Sequence, residues 1–348
     1  MPQAQCDIII PVFNRLDLTE RCLKSIGDNT EKSLYHLILI DNGSSQDTQA
    51  FLNGFKASRD NVTIVRNEEN LGWVKAVNQG MRLSTNPFIC LMNNDTVVRT
   101  NGWLSMMMDI ASSESDIGLV NPNFRLKRDA AGDADRFVEI DFCRGYCVLV
   151  KRAVIDRIGL LDESYGLGYY DDDDFSVRAI RAGFRCVRAN DAYVEHLGDS
   201  TFSRVFKDDK RMALHEKNKS LFYSRWGRRL KVAFIVTDGI DRDVISDLLF
   251  SIARRQHIIY LWTREAGLSL PHINIRLRRL PSLFYRPFLF LHLYLNRMKR
   301  ASKRYDLVFT DDAALTPALA TAGVRSLYAD MRKDAQVINE AVDSAAKA

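Results

Sequence analysis

Residues 7–14 read Asp-Ile-Ile-Ile-Pro-Val-Phe-Asn, an apolar run interrupted only by a proline near its end. Because the run lacks polar alternation, it is typical of a strand that is buried on both faces of a parallel sheet. Similar runs at 36–40, 62–65 and 88–92 are separated by helix-like segments. Strands that alternate with helices predict an α/β domain with a mostly parallel sheet and helices on both faces.

Polar side chains follow three of these predicted strands. Asn14, Asp41 and Asp95 stand at the ends of the first, second and fourth runs, and ligands of such sheets bind at the carboxyl ends of the strands. A carboxylate there can accept a hydrogen bond from a base or a ribose, or hold a divalent cation that bridges a diphosphate. Asp41 also precedes an Asn-Gly pair, so a plain turn residue is an equally good interpretation. Glycine-rich dinucleotide and P-loop motifs are missing.

The most acidic stretch of the chain is Tyr169–Arg178, which contains four consecutive aspartates, Asp171–Asp174. The pattern that follows predicts a helix with these carboxylates in its first turn and a stop at Gly183. Arg178, one turn after Asp174, is placed to pair with it. The remaining charge leaves room for a cation or for an acceptor proton, whereas the alternative is a solvated helix start. His196 is expected in a Gly/Ser loop, as a ligand of the same cation.

The 348 residues are 46% hydrophobic and 27% charged, enough for a sizeable core and two domains. A second α/β pattern begins near residue 231, which predicts domains at 1–229 and 230–348. No apolar run approaches the roughly 18–20 residues of a membrane span, and the first residues lack the regions of a signal peptide. The six cysteines are scattered, so we expect reduced thiols in a cytosolic protein.

Short motifs occur in a fixed order along the first ~225 residues. They are 10–14 (Ile-Pro-Val-Phe-Asn), 41–44 (Asp-Asn-Gly-Ser), 70–73 (Asn-Leu-Gly-Trp) with Asn78, 91–95 (Leu-Met-Asn-Asn-Asp), 144–147 (Arg-Gly-Tyr-Cys) before Lys151 and Arg152, 159–163 (Gly-Leu-Leu-Asp-Glu), the four aspartates with Arg178, and His196 with Gly198 and Ser200. Jointly they resemble the family 2 glycosyltransferases of the GT-A fold, notably bacterial polysaccharide enzymes of the rhamnosyltransferase kind.

The resemblance implies a role for each matching residue. Asp172, or Asp171 if the register differs by one, is the general base, and Asp95 with His196 holds Mn²⁺ or Mg²⁺. The nucleotide-sugar site comprises Pro11, Val12, Phe13, Asn14, Asp41, Gly72, Asn78, Asn93 and Asn94. The acceptor site comprises Trp73, Arg144, Gly145 and Tyr170.

Two departures from the family pattern bear on these roles. Asn93 stands where the family has an acid, which should weaken metal binding although the amide still offers a carbonyl oxygen. Asp171 stands where the family has Glu, which leaves the register of the base open. The pKa of Asp172 is expected to be raised by its acidic neighbours and partly lowered by Arg178.

The expected activity is an inverting transfer of a sugar from a UDP- or dTDP-sugar to a hydroxyl of a glycan or lipid-linked acceptor, in the synthesis of cell-surface polysaccharide such as O-antigen. Two other classes stay open. One is a nucleotidyltransferase, although the glycine-rich, Lys-bearing start that many such enzymes use is missing. The other is a non-catalytic scaffold of a polysaccharide assembly complex, for which Asn93 is the best support.

The C-terminal part resembles half of a GT-B nucleotide-sugar domain but lacks a donor motif. Between Glu265 and Asp306 there is no acidic residue, and nine Lys and Arg residues over 276–304 surround an apolar segment at 284–295. Two interpretations are balanced: a helix on an anionic membrane, at the inner face of the plasma membrane, and a core helix with a basic end. Nucleic-acid binding is not supported, since no recognised motif accompanies the basic residues. The oligomeric state is left open.

Overall fold

A computed structural model describes residues 5–124, 135–198, 208–237, 241–265, 267–281, 283–321 and 323–348. The chain divides into two compact units, Met1–Leu221 and Phe222–Ala348. Among the described residues, no helix combines the length and the apolar character needed to cross a bilayer.

The first unit is built on a nine-stranded sheet in the order β3-β2-β1-β4-β8-β6-β9-β5, with β7 paired to β9. Its strands are β1 Cys6–Val12, β2 Tyr35–Asn42, β3 Val62–Asn67, β4 Phe88–Met92, β5 Thr96–Val98, β6 Ile117–Asn123, β7 Phe137–Ile140, β8 Cys147–Lys151 and β9 Arg185–His196. Its helices are α1 Leu16–Asn29, α2 Gln46–Ala57, α3 Trp73–Leu83, α4 Trp103–Ser113, α5 Arg152–Ile158, α6 Asp171–Arg181 and α7 Asp208–Trp226.

Strands β3, β2, β1 and β4 form the parallel half of this sheet, and β8 runs antiparallel to both of its neighbours, β4 and β6. β1 is buried throughout: Ile8 and Ile10 enter the core on one face, and Ile9 enters the core on the other. The predicted α/β class with helices on both faces is therefore confirmed. Pairing of β1 with β4 ends at Ile9, whereas pairing with β2 continues past Pro11 to Val12.

The second unit has a five-stranded sheet that is parallel throughout, in the order β12-β11-β10-β13-β14. Its strands are β10 Lys231–Val236, β11 Ile258–Thr263, β12 Ile275–Arg279, β13 Leu307–Thr310 and β14 Ser326–Tyr328. Its helices are α8 Arg242–Ala253, α9 Tyr285–Arg297, α10 Leu315–Thr321 and α11 Ala335–Lys347. Helices α8 and α11 pack on one face of the sheet, and α9 and α10 pack on the other. The predicted Rossmann-like unit is thus confirmed as a parallel sheet covered on both sides.

Candidate active site

The turn after β4 and the end of β9 meet through the short strand β5. Thr96 of β5 pairs with His196, and the backbone N–H of Leu197 donates to the carbonyl oxygen of Asp95 at 3.0 Å. This backbone pairing brings His196 Nε2 within 3.1 Å of Asp95 Oδ1. The expectation of a Gly/Ser loop around His196 was wrong, because His196 is the last residue of a twelve-residue strand. Ser200 of the same motif lies outside the described residues.

Asn93 lies at the centre of the cluster around this pair. Its Oδ1 accepts a hydrogen bond from Trp73 Nε1 at 2.8 Å, and its backbone N–H donates to the carbonyl of Tyr146 at 2.9 Å. The Tyr146 ring stacks on the His196 ring with centroids 5.1 Å apart. Asn93 Oδ1, which was expected to be available as a metal ligand, therefore already accepts a hydrogen bond from the Trp73 indole N–H.

The four aspartates begin α6 as predicted, but their surroundings differ. Asp171 and Asp174 are buried, and Asp174 pairs with Arg178 at 2.8 Å. Asp172 is partly exposed, and its Oδ2 accepts the backbone N–H of Gly145 at 2.9 Å. A Cβ atom on Gly145 would lie 3.1 Å from the Trp73 ring. Neighbouring residues thus lead from His196 and Asp95 to Asn93, whose Nδ2 lies 3.5 Å from His196 Nε2, and on to Trp73, whose ring lies beside Gly145 and near Asp172.

Burial sets the acidity of the first two aspartates. It raises the pKa of Asp171 well above the ordinary value, and the neighbouring charge of Asp172 adds to the rise. Burial also raises the pKa of Asp172, while the N–H groups of Gly145 and Asp173 lower it, with a further contribution from Arg144. The predicted pairing of Arg178 with Asp174 is confirmed. The prediction that Arg178 lowers the pKa of Asp172 was wrong, because its guanidinium binds Asp174 and the carbonyls of Ile158 and Leu160.

The segment before α6 adopts an unfavourable backbone conformation. Tyr169 and Tyr170 have φ of 70° and 66°, which non-glycine residues rarely adopt. Asn218 of α7 holds this segment: its Nδ2 donates to the carbonyls of Tyr165, Gly168 and Tyr169 at 2.7, 2.7 and 3.2 Å. No local pattern in the sequence marks Asn218, because its partners lie about fifty residues away.

A second polar group joins the ends of β1 and β2. The backbone N–H of Asn14 donates to Ser44 Oγ at 2.9 Å, and the N–H of Ser44 donates to Asp41 Oδ1 at 2.9 Å. The buried Asp41 carboxylate also forms an ion pair with Arg66. Asp41 therefore makes the turn contact that the alternative interpretation described, and its contact with a base stays a prediction.

Arg15, which the sequence analysis did not single out, belongs to this edge of the sheet. It lies just before α1 with φ of 50°, and its Nε and Nη2 donate to Asp17 at 3.0 and 2.9 Å. Its Nη1 is buried and has no hydrogen-bond partner among the described residues. Asp17 chiefly, and Asp95 to a smaller extent, raise the pKa of Arg15, so the guanidinium is within electrostatic reach of Asp95. Its position directly after the predicted Asn14 was the available signal.

Two other predicted residues, Asn78 and Asn94, have hydrogen-bond partners outside this cluster. Asn78 is buried and bonds Leu161 and Glu163, and Asn94 donates to Thr19. The rest are placed as follows: Pro11 and Val12 inside β1, Phe13 half-buried after it, Gly72 before α3, Tyr170 before α6, and Arg144 exposed with its guanidinium 4.8 Å from the Phe124 ring.

The polar side chains at the end of β4 suit a hard divalent cation. In the described part of the chain no group of three or more His, Cys, Asp or Glu side chains is arranged to hold a metal. Asp95 and His196 supply one oxygen and one nitrogen ligand at 3.1 Å from each other. Mg²⁺-type sites use one or two carboxylates and take their remaining ligands from substrate phosphates and water. The pair therefore fits a cation that is completed by a diphosphate.

The first part of the chain is similar to a known protein family. Residues 7–128 match the family described as glycosyl transferase family 2. Glycosyltransferase AglE of Haloferax volcanii is 24% identical over 198 residues, which cover 53% of this chain and 64% of that protein. A GalNAc(5)-diNAcBac-PP-undecaprenol beta-1,3-glucosyltransferase of Campylobacter jejuni is 21% identical over 234 residues, which cover 59% and 75%.

A solved structure has a similar fold over 57% of this chain. The mannosyltransferase PcManGT of Pyrobaculum calidifontis, in complex with GDP-Man and Mn²⁺, superposes with a TM-score of 0.50 at 18% identity. The match covers 57% of this chain and 59% of that one. This chain thus spans less than two thirds of the length of the archaeal AglE and of the mannosyltransferase. The resemblance to family 2 and its GT-A fold is confirmed.

Proposed function

We propose that this chain, whose residues 7–128 match glycosyl transferase family 2, transfers a sugar with inversion from a nucleoside diphosphate to a hydroxyl of a glycan or lipid-linked acceptor. The observation that carries the proposal is the succession of neighbouring residues from Asp95 and His196 through Asn93 and Trp73 to Gly145 and Asp172. A relative named for an undecaprenol-linked glycan acceptor, the glucosyltransferase of Campylobacter jejuni, supports the lipid-linked acceptor.

In this mechanism Asp172 is the general base. The acceptor hydroxyl oxygen attacks the anomeric carbon, the bond from that carbon to the diphosphate oxygen breaks, and the hydroxyl proton passes to the Asp172 carboxylate. Its elevated pKa brings the base closer to the pH of the cell. The N–H groups of Gly145 and Asp173 hold the two carboxylate oxygens in place at 2.9 and 3.1 Å, so the carboxylate is oriented and a remaining lone pair can take the proton.

The residues at the end of β4 act on the leaving group. Asp95 and His196 would hold a divalent cation, and such a cation supplies charge neutralisation to the leaving diphosphate. The Mn²⁺ in the structural relative supports this choice. We assign Arg15 to the same diphosphate, because its buried Nη1 lacks a partner and lies in the field of Asp95.

The contact network favours this function over the two alternatives. A scaffold gains nothing from a buried carboxyl such as that of Asp171, since burial of an ionisable group is destabilising. A nucleotidyltransferase would use Asp95 and His196 to bind a diphosphate. It has no need of a general base such as Asp172, which lies near the Trp73 ring.

A panel of UDP-, dTDP- and GDP-sugars, with and without Mn²⁺, tests the proposal on the full chain. We expect slow release of free sugar and nucleoside diphosphate from one donor, and an inverted anomeric configuration in the acceptor product by NMR. Release of pyrophosphate would identify a nucleotidyltransferase. Neither release nor binding of any donor would leave a scaffold.

A further inference from the structure

Helix α9 presents two apolar faces on opposite sides. One face packs on the second sheet through Leu289 and Leu293, with Asn296 in the same line. The other carries large exposed side chains at spacings of three and four residues, which places them on a single stripe: Phe284, Phe288, Leu291, Tyr294, Leu295 and Met298. A core helix accounts for the first face only, so the second face needs an occupant.

The exposure of this second face is large for a folded domain. Leu283 and Phe284, directly before the helix, are 75% and 82% exposed, and Leu291 and Leu295 are 57% and 49% exposed. Scattered exposed apolar residues are ordinary, but a contiguous patch marks an interaction site. We call this surface, residues 283–298, the α9 patch.

Positive charge borders the α9 patch. Arg276 and Arg278 lie over the Tyr260 ring at 5.4 and 5.9 Å, and Tyr260 belongs to the same core as α9. Arg264 lies 4.4 Å from the ring of Tyr285 at the start of the helix. Exposed Lys299, Arg300, Lys303 and Arg304 follow its end. The forty residues between Glu265 and Asp306 contain no acid.

We propose that the α9 patch docks on an anionic membrane surface, with the helix lying in the plane of the interface. An apolar stripe flanked by cations is the pattern of an interfacial helix. A second copy of this chain fits less well, because its basic rim would meet an identical basic rim. Charge complementarity selects anionic lipid.

Vesicle flotation of the full chain, without donor or acceptor, tests this proposal. We expect the protein to float with vesicles of equimolar phosphatidylglycerol and phosphatidylcholine. With vesicles of phosphatidylcholine alone, it should remain at the bottom of the gradient. Each basic residue near an anionic surface strengthens partitioning about fivefold, so binding should fall steeply with added salt.

Two pairs of variants separate the apolar and the charged contributions. Leu291→Glu/Leu295→Glu should weaken partitioning about a hundredfold, whereas Val337→Glu, at a residue of α11 that is 63% exposed, should not. Arg300→Glu/Lys303→Glu should weaken it at least tenfold, whereas Lys333→Glu/Lys347→Glu, with the same change of net charge, should have little effect. Circular dichroism confirms that each variant is folded.

Three outcomes would overturn the proposal. The first is no flotation of the wild-type chain with anionic vesicles. The second is equal flotation of the patch variants and their controls. The third is a dimer, detected by sedimentation velocity, that Leu291→Glu/Leu295→Glu dissociates, which would assign the patch to a second copy. Because none of these measurements involves sugar transfer, failure of the membrane proposal is distinct from failure of the transferase proposal.

Discussion

The two units share one feature of strand order, and they differ in the contacts made by the carboxylates at the carboxyl ends of their strands. In each, the first strand lies between its successor and a later parallel strand: β1 between β2 and β4, and β10 between β11 and β13. Such a reversal of strand order is where α/β sheets bind ligands. Both edges carry carboxylates, Asp95 after β4 and Asp311 with Asp312 after β13.

The difference lies in what those carboxylates contact. Asp312 accepts two hydrogen bonds from Arg286, at 2.7 and 3.1 Å, and one from the Tyr285 hydroxyl at 2.7 Å. Asp311 accepts the N–H and the hydroxyl of Thr237. Asp95, in contrast, meets His196, with the incompletely bonded guanidinium of Arg15 in reach. The same reversal of strand order therefore provides a position for a ligand site in both units. The side chains at that position decide which unit can bind a ligand there.

The largest expected effect is at Asp172. Asp172→Asn removes the proton acceptor but keeps the hydrogen bond from Gly145, so we expect kcat to fall about 10³-fold while donor affinity changes little. Transfer assays and calorimetric titration of the donor measure the two quantities. Asp312→Asn in the second unit is the matched control and should leave kcat within about twofold.

Asp171→Asn resolves the register of the base. If Asp172 is the base, Asp171→Asn should keep most of the activity, because Asp171 is buried and its pKa is raised well above the ordinary value. A loss as large as that of Asp172→Asn would move the role to Asp171. Retention of more than a few per cent of activity by Asp172→Asn would remove Asp172 from it.

The next effect concerns the metal. His196→Ala should raise the Mn²⁺ concentration for half-maximal activity at least tenfold, since one of two protein ligands is lost. Electron paramagnetic resonance of free Mn²⁺ measures the affinity independently of turnover. His292→Ala in the second unit is the control and should leave the titration unchanged. An unaltered titration for His196→Ala would make His196 a structural residue.

The sequence was most informative where local pattern and structure coincide. The apolar strands, the start of α6 and its stop before Gly183 followed from periodicity and capping, because those features depend on neighbours in sequence. His196 was misplaced because β5 has only three residues, and its pairing with β9 joins positions about a hundred residues apart. Asn218 was missed for the same reason, since its partners are set by tertiary contacts. Arg15 was missed although its partner Asp17 is local, because the burial of its Nη1 is set by the fold.

A smaller effect is expected at Asn218, which acts through the segment before α6. Asn218→Ala leaves the carbonyls of Tyr165, Gly168 and Tyr169 without their side-chain donor, so the strained tyrosines should relax and Asp172 should lose its precise placement. We expect kcat to fall about tenfold with little change in donor KM. Asn296→Ala, at a buried asparagine of the second unit whose Oδ1 accepts the N–H of Tyr305, should lower Tm to a similar degree but leave kcat unchanged.

The smallest effect is the response of the two units to acid, which should have opposite signs. In the second unit burial lowers the pKa of His257 and of His272 to about 3. The unfolded chain therefore binds protons that the folded unit does not between about pH 6.5 and 3, and stability is lost as the pH falls through that window. From pH 7 to 6 the loss is about 1.4 kcal/mol for the two histidines together.

In the first unit the buried Asp171 has the reverse effect. Its pKa is raised, so the folded unit holds a proton that the unfolded chain would release, and this contribution to stability grows as the pH falls through the folded pKa. Hydrogen exchange of the full chain at pH 7 and 6, corrected for the intrinsic rate, resolves peptides of each unit. Protection should fall in β10 and β11 and hold in β1 and α6. His272→Gln, which keeps an acceptor for the N–H of Asn274, should reduce the fall, and an equal fall in both units would contradict the assignment of buried neutral histidines.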